Sequence, residues 1–133
     1  MYNQRVMEIF KNPQNLGEIR SANGIGLAVN SSGDVIRAYL VVEDGVITDI
    51  KFKTFGGVAL IAASSVATEI LKGMNIQDAL NFDTQLILKE LGELPQQKLY
   101  VLNLISEVIV DAIDNYNKRL EKEEERKRKE VVA

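Results

Sequence analysis

The chain has 133 residues, 46% of them hydrophobic and 26% charged, with a formal net charge of −3. That length supports one hydrophobic core and falls short of two ordinary domains, and the composition is globular rather than disordered. Cysteine and histidine are both absent. The chain therefore cannot supply zinc-finger ligands, a thiolate nucleophile, a Ser-His-Asp triad, histidine ligation of haem or the usual iron–sulfur ligands. Any metal it holds alone must take oxygen ligands, which suit Mg, Ca or Mn. The acidic balance argues against a nucleic-acid partner. No apolar run reaches the roughly 18 residues of a membrane span, and the opening residues have no apolar leader core. The expectation is a cytoplasmic protein with neither nucleic acid nor membrane as partner.

Asn3 to Lys11 has helical spacing, with Val6, Met7, Ile9 and Phe10 as its apolar stripe, and Asn12-Pro13 ends it. Leu16 to Asn23 reads as loop. Ile25, Leu27 and Val29 alternate with Gly24, Gly26 and Ala28 as a first strand. Ser31-Ser32-Gly33 is a turn. From Asp34 to Glu43, Ile36, Ala38, Leu40 and Val42 share one face of a second strand. Asp44-Gly45 is a hairpin signal, and the return strand runs from Val46 to about Phe55, with Ile50 and Phe52 inward. Gly56-Gly57 breaks the chain before an Ala/Ser-rich helix from Val58 to Leu71, closed by Lys72-Gly73. Asn75 and Asp83 or Thr84 open two short helices, and Leu94-Pro95 is a linker. Leu99, Leu102, Ile105, Ile109, Ile113, Tyr116 and Leu120 then step along one face of a long helix. The fold class is α+β: a three-stranded antiparallel sheet covered on one face by helices. A domain over residues 1–117 is followed by a charged helical extension over 118–133. There Glu123, Glu124 and Glu125 stand four residues before Lys127, Arg128 and Lys129. That extension reads as a solvated helix or as a partner surface.

Few of the motifs carry chemistry. Gly24-Ile25-Gly26 lacks the third glycine of a dinucleotide loop and precedes a meander, not a βαβ unit. Gly56-Gly57 is either an anion-holding helix start or a close-packed turn. Ser32 and Asp34 read as an Asx-type turn before they read as nucleophile and base, since nothing orients them. Asp34, Asp44, Asp49 and Glu69 lack metal-loop spacing. Tyr100 and Tyr116 read as packing residues of the long helix.

The ordered motifs resemble a known family. Tyr2-Asn3-Gln4-Arg5-Val6 leading to Asn12-Pro13-Gln14-Asn15-Leu16-Gly17, Ser32-Gly33-Asp34-Val35, Phe52-Lys53-Thr54-Phe55-Gly56-Gly57, the Ala62-Ala63-Ser64-Ser65 helix and Leu94-Pro95 fall in the order of the IscU/NifU N-terminal scaffolds of iron–sulfur cluster assembly. The resemblance spans roughly residues 2 to 119. It implies three cysteine thiolates that accept sulfur from a cysteine desulfurase and hold a [2Fe–2S] cluster or zinc. Here those positions are Ser32, Gly57 and Val101, and a frequent histidine is Tyr100; Asp34 alone is kept. The segment that an Hsp70-type chaperone recognises is similar to Leu94-Pro95-Gln96-Gln97-Lys98, with its centre changed.

The resemblance thus implies a scaffold without catalytic residues and with only vestigial metal positions. A serine cannot carry sulfane sulfur, and one aspartate cannot hold a cluster. The expectation is a chain that binds no cofactor alone and acts as a binding or regulatory module for a desulfurase or another assembly protein. Self-association is a further expectation. The alternative is a cluster or iron scaffold in which Asp34 adds one ligand and a partner supplies the others. Gly57 and Val101 lead one to expect a dry, closed site.

Overall fold

A computed structural model describes residues 1–132. The hairpin is set by Asp44 and Gly45, both at positive φ (51° and 75°), the pair that a primed turn requires. It returns β2 (Val35–Glu43) onto β3 (Val46–Phe55), and β1 (Gly24–Val29) pairs with the other side of β2, so the sheet order is β1-β2-β3, all antiparallel. Ile36, Ala38, Leu40 and Val42 of β2 and Ile47, Ile50 and Phe52 of β3 are buried on the inner face, as the period-two pattern predicts.

β1 behaves differently. Its inward row is Gly24, Gly26 and Ala28, while Leu27 and Val29 face outward and are exposed. The small row packs inward because its packing partner is a helix backbone. The helices run α1 (Gln4–Lys11), α2 (Val58–Leu71), α3 (Ile76–Leu80), α4 (Gln85–Leu91) and α5 (Tyr100–Val132). α5 lies so close to β1 that a Cβ on Gly26 would stand 2.4 Å from the Val108 carbonyl oxygen and 2.5 Å from the Ala112 nitrogen. The helix also closes the open edge of β1. The amide of Ile25 donates to Asn115 Oδ1 at 2.9 Å and that of Leu27 to Asp111 Oδ2 at 2.8 Å, so these edge amides offer no template for another strand.

The opposite edge is closed by loops. The Phe52 amide donates to the Asn15 carbonyl and the Gly17 amide to the Phe52 carbonyl; further along, Ile47 exchanges bonds with Gly73 and Met74. Asn15 reaches this position in the left-handed region, at φ 57°. The same segment is tied to α2. The Gln14 amide donates to Ser65 Oγ, and Asn15 Nδ2 donates to Thr68 Oγ1. These bonds explain the buried hydroxyls of Ser65 and Thr68 in a helix lined mostly with Ala, Leu and Val; the buried Ser64 hydroxyl has no partner among the described residues.

The helix starts follow their caps. Asn3 accepts from the Val6 amide and donates to the Leu91 carbonyl, so one side chain begins α1 and ends α4. Asn75 caps α3 through the Asp78 amide. Asp83 Oδ1 accepts from the Gln85 amide ahead of α4. α5 buries Val101, Leu104, Ile105, Val108, Ile109, Ala112 and Ile113, then continues without a break through the expected boundary at residue 117. Residues 117–131 are all exposed. Of the three Glu–Lys/Arg pairs expected there, Glu125–Lys129 forms at 3.3 Å, while Glu123 turns to Arg126 at 2.7 Å. The shorter spacing lets Arg126 also reach Glu130 at 2.9 Å, and one fork then serves two carboxylates. Among the described residues no helix is long and apolar enough to cross a membrane.

Gly26→Ala is expected to destabilise the fold by about 2–3 kcal/mol, because backbone atoms of α5 must move to admit the methyl group. Urea unfolding followed by circular dichroism checks this, with a smaller loss at Gly24, where the nearest approach is 2.8 Å.

Candidate functional site

The turn between β1 and β2 is organised by Asn30. Its Oδ1 accepts from the amides of Ser32 and Asp34, both at 3.0 Å, and its Nδ2 donates to Asp34 Oδ2 at 3.1 Å. This is the Asx geometry expected of the segment, supplied by a residue outside the Ser32–Asp34 pair. An asparagine at the head of a Ser-Ser-Gly turn is the sequence signal that identifies it. Gly33 completes the turn at φ 89°. Ser32 is exposed and Asp34 is half-buried.

Asp34 is met from two further sides. Tyr100, the first residue of α5, donates its Oη to Asp34 Oδ2 at 2.5 Å. Gly56 covers the other oxygen: a Cβ there would stand 3.0 Å from Asp34 Oδ1 and 2.8 Å from Leu60 Cδ2. The Gly56-Gly57 turn is thus close-packed at its first glycine. Gly57 itself is the N-cap of α2, exposed, with no atom within 4 Å of where a side chain would begin. Val101 is fully buried.

The fold therefore brings the turn of Ser32 and Asp34, the Gly56-Gly57 break and the start of α5 to one end of the sheet. A wholly dry and closed site is not what forms there. Val101 enters the core beneath the site, but Gly57 has no side chain to cover it, and Tyr100 stays 37% exposed. The two cavities along α1 and α2, about 270 and 300 Å³ and sharing Arg5, Ile9 and Glu69, include none of these positions.

The electrostatics centre on the Tyr100–Asp34 bond. The phenol of Tyr100 is pushed up to about 12, first because it donates a hydrogen bond to Asp34, then through partial burial and the negative charge of Asp34. Tyr100 thus stays protonated and remains a donor. Among the described residues no group of three or more carboxylates is placed to share a metal ion. With no cysteine or histidine in the chain, the groups around Asp34 are hard oxygens, the Tyr100 phenol among them and already bonded to Asp34.

The segment leading into this site is Leu94-Pro95-Gln96-Gln97-Lys98. Leu94 is buried and anchors it, and Gln96–Lys98 form one tight turn closed by the Lys98 amide on the Pro95 carbonyl at 2.8 Å. Gln96 and Gln97 are the residues it shows to solvent.

Comparison with known proteins agrees with this architecture. The family described as NifU-like N terminal domain matches residues 1–123. The chain belongs to that family. It is 43% identical over 117 residues to the iron-sulfur cluster assembly scaffold protein IscU 1 of Archaeoglobus fulgidus, covering 87% of this chain and 76% of that one. It is 44% identical over 118 residues to the IscU scaffold protein of Aquifex aeolicus, covering 86% of this chain and 75% of that one. The fold also superposes on a NifU-like N-terminal protein from Brucella abortus with a TM-score of 0.70, at 18% identity, over 87% of this chain and 94% of that one. Within the NifU-like family this chain is a cysteine-free member of a scaffold fold.

The raised Tyr100 value has a testable consequence. A phenol whose folded value lies above its ordinary 10 adds stability that is whole below pH 10 and is lost as pH rises toward 12. The phenolate absorption missing from Tyr100→Phe, relative to the parent, should develop with a midpoint near 12. The stability difference between the two proteins should shrink over the same interval. A midpoint at the ordinary phenol value would show that the bond to Asp34 does not hold in solution.

Proposed function

We propose that this chain is a cluster-free member of the NifU-like family that binds protein partners of iron–sulfur cluster assembly, with a cysteine desulfurase foremost, and takes no sulfur from them. The observation that carries this reading is the hydrogen bond from Tyr100 to Asp34. The resemblance makes Asp34 the one ligand-site residue retained, and that residue is already engaged by the side chain standing at the histidine position.

The chemistry supports the same reading. Persulfide transfer needs a thiolate that attacks sulfane sulfur and is released again. The hydroxyl of Ser32 does not ionise near neutral pH, and Gly57 and Val101 have no polar side-chain atom. Soft thiolates select iron–sulfur clusters, whereas isolated carboxylates suit hard cations. The residues present therefore do not fit a cluster. The named relatives are scaffold proteins, which supports a role that rests on binding. The fold it shares with named scaffold proteins offers partners a familiar surface, and a site that accepts nothing turns such binding into occupancy or regulation.

The alternative, in which a partner supplies thiolates and Asp34 one oxygen, requires Asp34 to give up its bonds from Tyr100 and Asn30. That requirement ranks it second.

Mixing the purified chain with a cysteine desulfurase and sulfur-labelled cysteine separates the outcomes. The expected result is a complex on gel filtration with no label on this chain. Absence of any complex would remove the desulfurase as partner. Stoichiometric iron and sulfide retained by the chain alone after anaerobic reconstitution would overturn the cluster-free reading. A cluster formed only with the desulfurase present, and formed more readily on Tyr100→Phe, would favour the shared-ligand alternative.

A further inference from the structure

One stripe runs down the exposed half of α5. Tyr116, Leu120, Glu124, Lys127 and Val131 step by four and three, which keeps them on one face of the helix. Leu120 is 42% exposed and Val131 is 87% exposed. At its inner end the stripe meets a hollow of about 260 Å³, lined by Asn23, Tyr116, Arg119, Leu120 and Glu123. The family match ends at residue 123, so the outer half of the stripe lies beyond the part shared with the scaffold proteins.

The charges on this stripe differ from those around it. Off the stripe, Asp114 pairs with Lys118, Glu123 and Glu130 share Arg126, and Glu125 pairs with Lys129. Among the described residues Glu124 and Lys127 form no ion pair, with each other or with a neighbour. Lys127 lies near Glu123, but Arg126 already holds that carboxylate at 2.7 Å. From Leu120 outward the stripe is therefore apolar, acid, base, apolar. Read from the other end it is the same with the two signs exchanged. Antiparallel pairing of identical helices requires that symmetry, and a helix serving a foreign partner has no need of it.

We propose that two copies of the chain pair antiparallel along this stripe, about a two-fold axis that crosses α5 between Glu125 and Arg126. The axis sets Leu120 of each copy against the partner's Val131, and Glu124 against the partner's Lys127, so that every contact occurs twice. The partner's Val131 then enters the hollow beside Tyr116. A parallel pair would instead lay glutamate on glutamate and lysine on lysine. The inference is independent of the reading under Proposed function, because it concerns the far half of α5 and needs neither a desulfurase nor a cluster.

The chain contains no cysteine, so single introduced cysteines report the contact directly. Under mild oxidation of the full chain, Leu120→Cys mixed with Val131→Cys should form a disulfide-linked pair much faster than either variant alone. Two copies of residue 120 stand eleven residues apart in the antiparallel pair, about 16 Å along the axis. Lys122→Cys mixed with Lys129→Cys has the same symmetry on the opposite face of the helix and should not link. Fastest linkage between two copies of Leu120→Cys would make the helices parallel and overturn the proposal. Equal linkage of the two mixtures would reduce the contact to random collision and overturn it too. The seam is short, so sedimentation should show a weak dimer, half formed at roughly 0.1 mM. Glu124→Lys and Lys127→Glu should each raise the dissociation constant at least about tenfold, with the fold unchanged by circular dichroism. Mixing these two variants, or joining both substitutions in one chain, should restore pairing. A chain that stays monomeric up to roughly 1 mM, or a dimer indifferent to both reversals, would overturn the proposal.

Discussion

The close approach of α5 to β1 governs the remainder of the molecule. Helices normally pack on sheets through side chains on both partners, near 10 Å apart. Gly24 and Gly26 remove one layer, and the backbone of α5 at Val108 and Ala112 settles onto the strand itself. Three features follow from that single contact. The side chains of Asp111 and Asn115 arrive at the strand edge and cap its amides. The hydrophobic residues of β1 turn outward. The N-terminus of α5, about 18 Å up the helix from Ala112 at 1.5 Å per residue, comes to rest over Asp34. A methyl group at Gly26 would disturb all three at once, since α5 is rigid and has one register against the strand.

The placement of Tyr100 over Asp34 then decides what that end of the sheet can do. A half-buried carboxylate requires donors, and here Asn30 and Tyr100 both supply them to the same oxygen. A neutral donor to a charged acceptor contributes about 1.5–3 kcal/mol when buried. Tyr100 is 37% exposed, so solvent screening brings its share toward about 1 kcal/mol. That is modest for the fold, yet any incoming cation would have to compete with bonds already formed to Asp34. The phenol at the start of α5 is thereby committed to donation to a carboxylate.

Much of this fold was legible in the sequence because its signals are local. Asp44-Gly45, the Asn3 and Asn75 caps, Lys72-Gly73 and the three-four stepping of α5 each specify their conformation within a few residues. What escaped was set by distant contacts. Nothing near Gly26 announces that a helix some 80 positions later will lie on it, so the alternation of Ile25, Leu27 and Val29 marks a strand without saying which row packs. Of the site, the resemblance marked Ser32, Asp34, Gly57, Tyr100 and Val101, and the fold brings their segments together. It did not mark Asn30, and it did not join Tyr100 to Asp34, since a tyrosine in a helical stripe reads first as packing. Closure of the site was misjudged for a simple reason: Gly57 and Val101 are both apolar, but only Val101 has a side chain that can fill space.

The long tail of α5 follows from the same anchoring. A free helix of fifteen mostly charged residues would be marginal, because the first turn costs more than each later one returns. Here the turn is already made. The buried half from Val101 to Ile113 nucleates the helix, and residues 117–131 need only propagate it. Each ion pair adds a few tenths of a kcal/mol, and Lys118–Asp114, Arg126 with Glu123 and Glu130, and Lys129–Glu125 recur along the whole exposed length. Such a helix needs no partner to exist, so its exposure alone does not imply one. The apolar row of β1 is different in kind. Leu27 and Val29 stand exposed there, and their exposure adds nothing to the stability of the isolated chain.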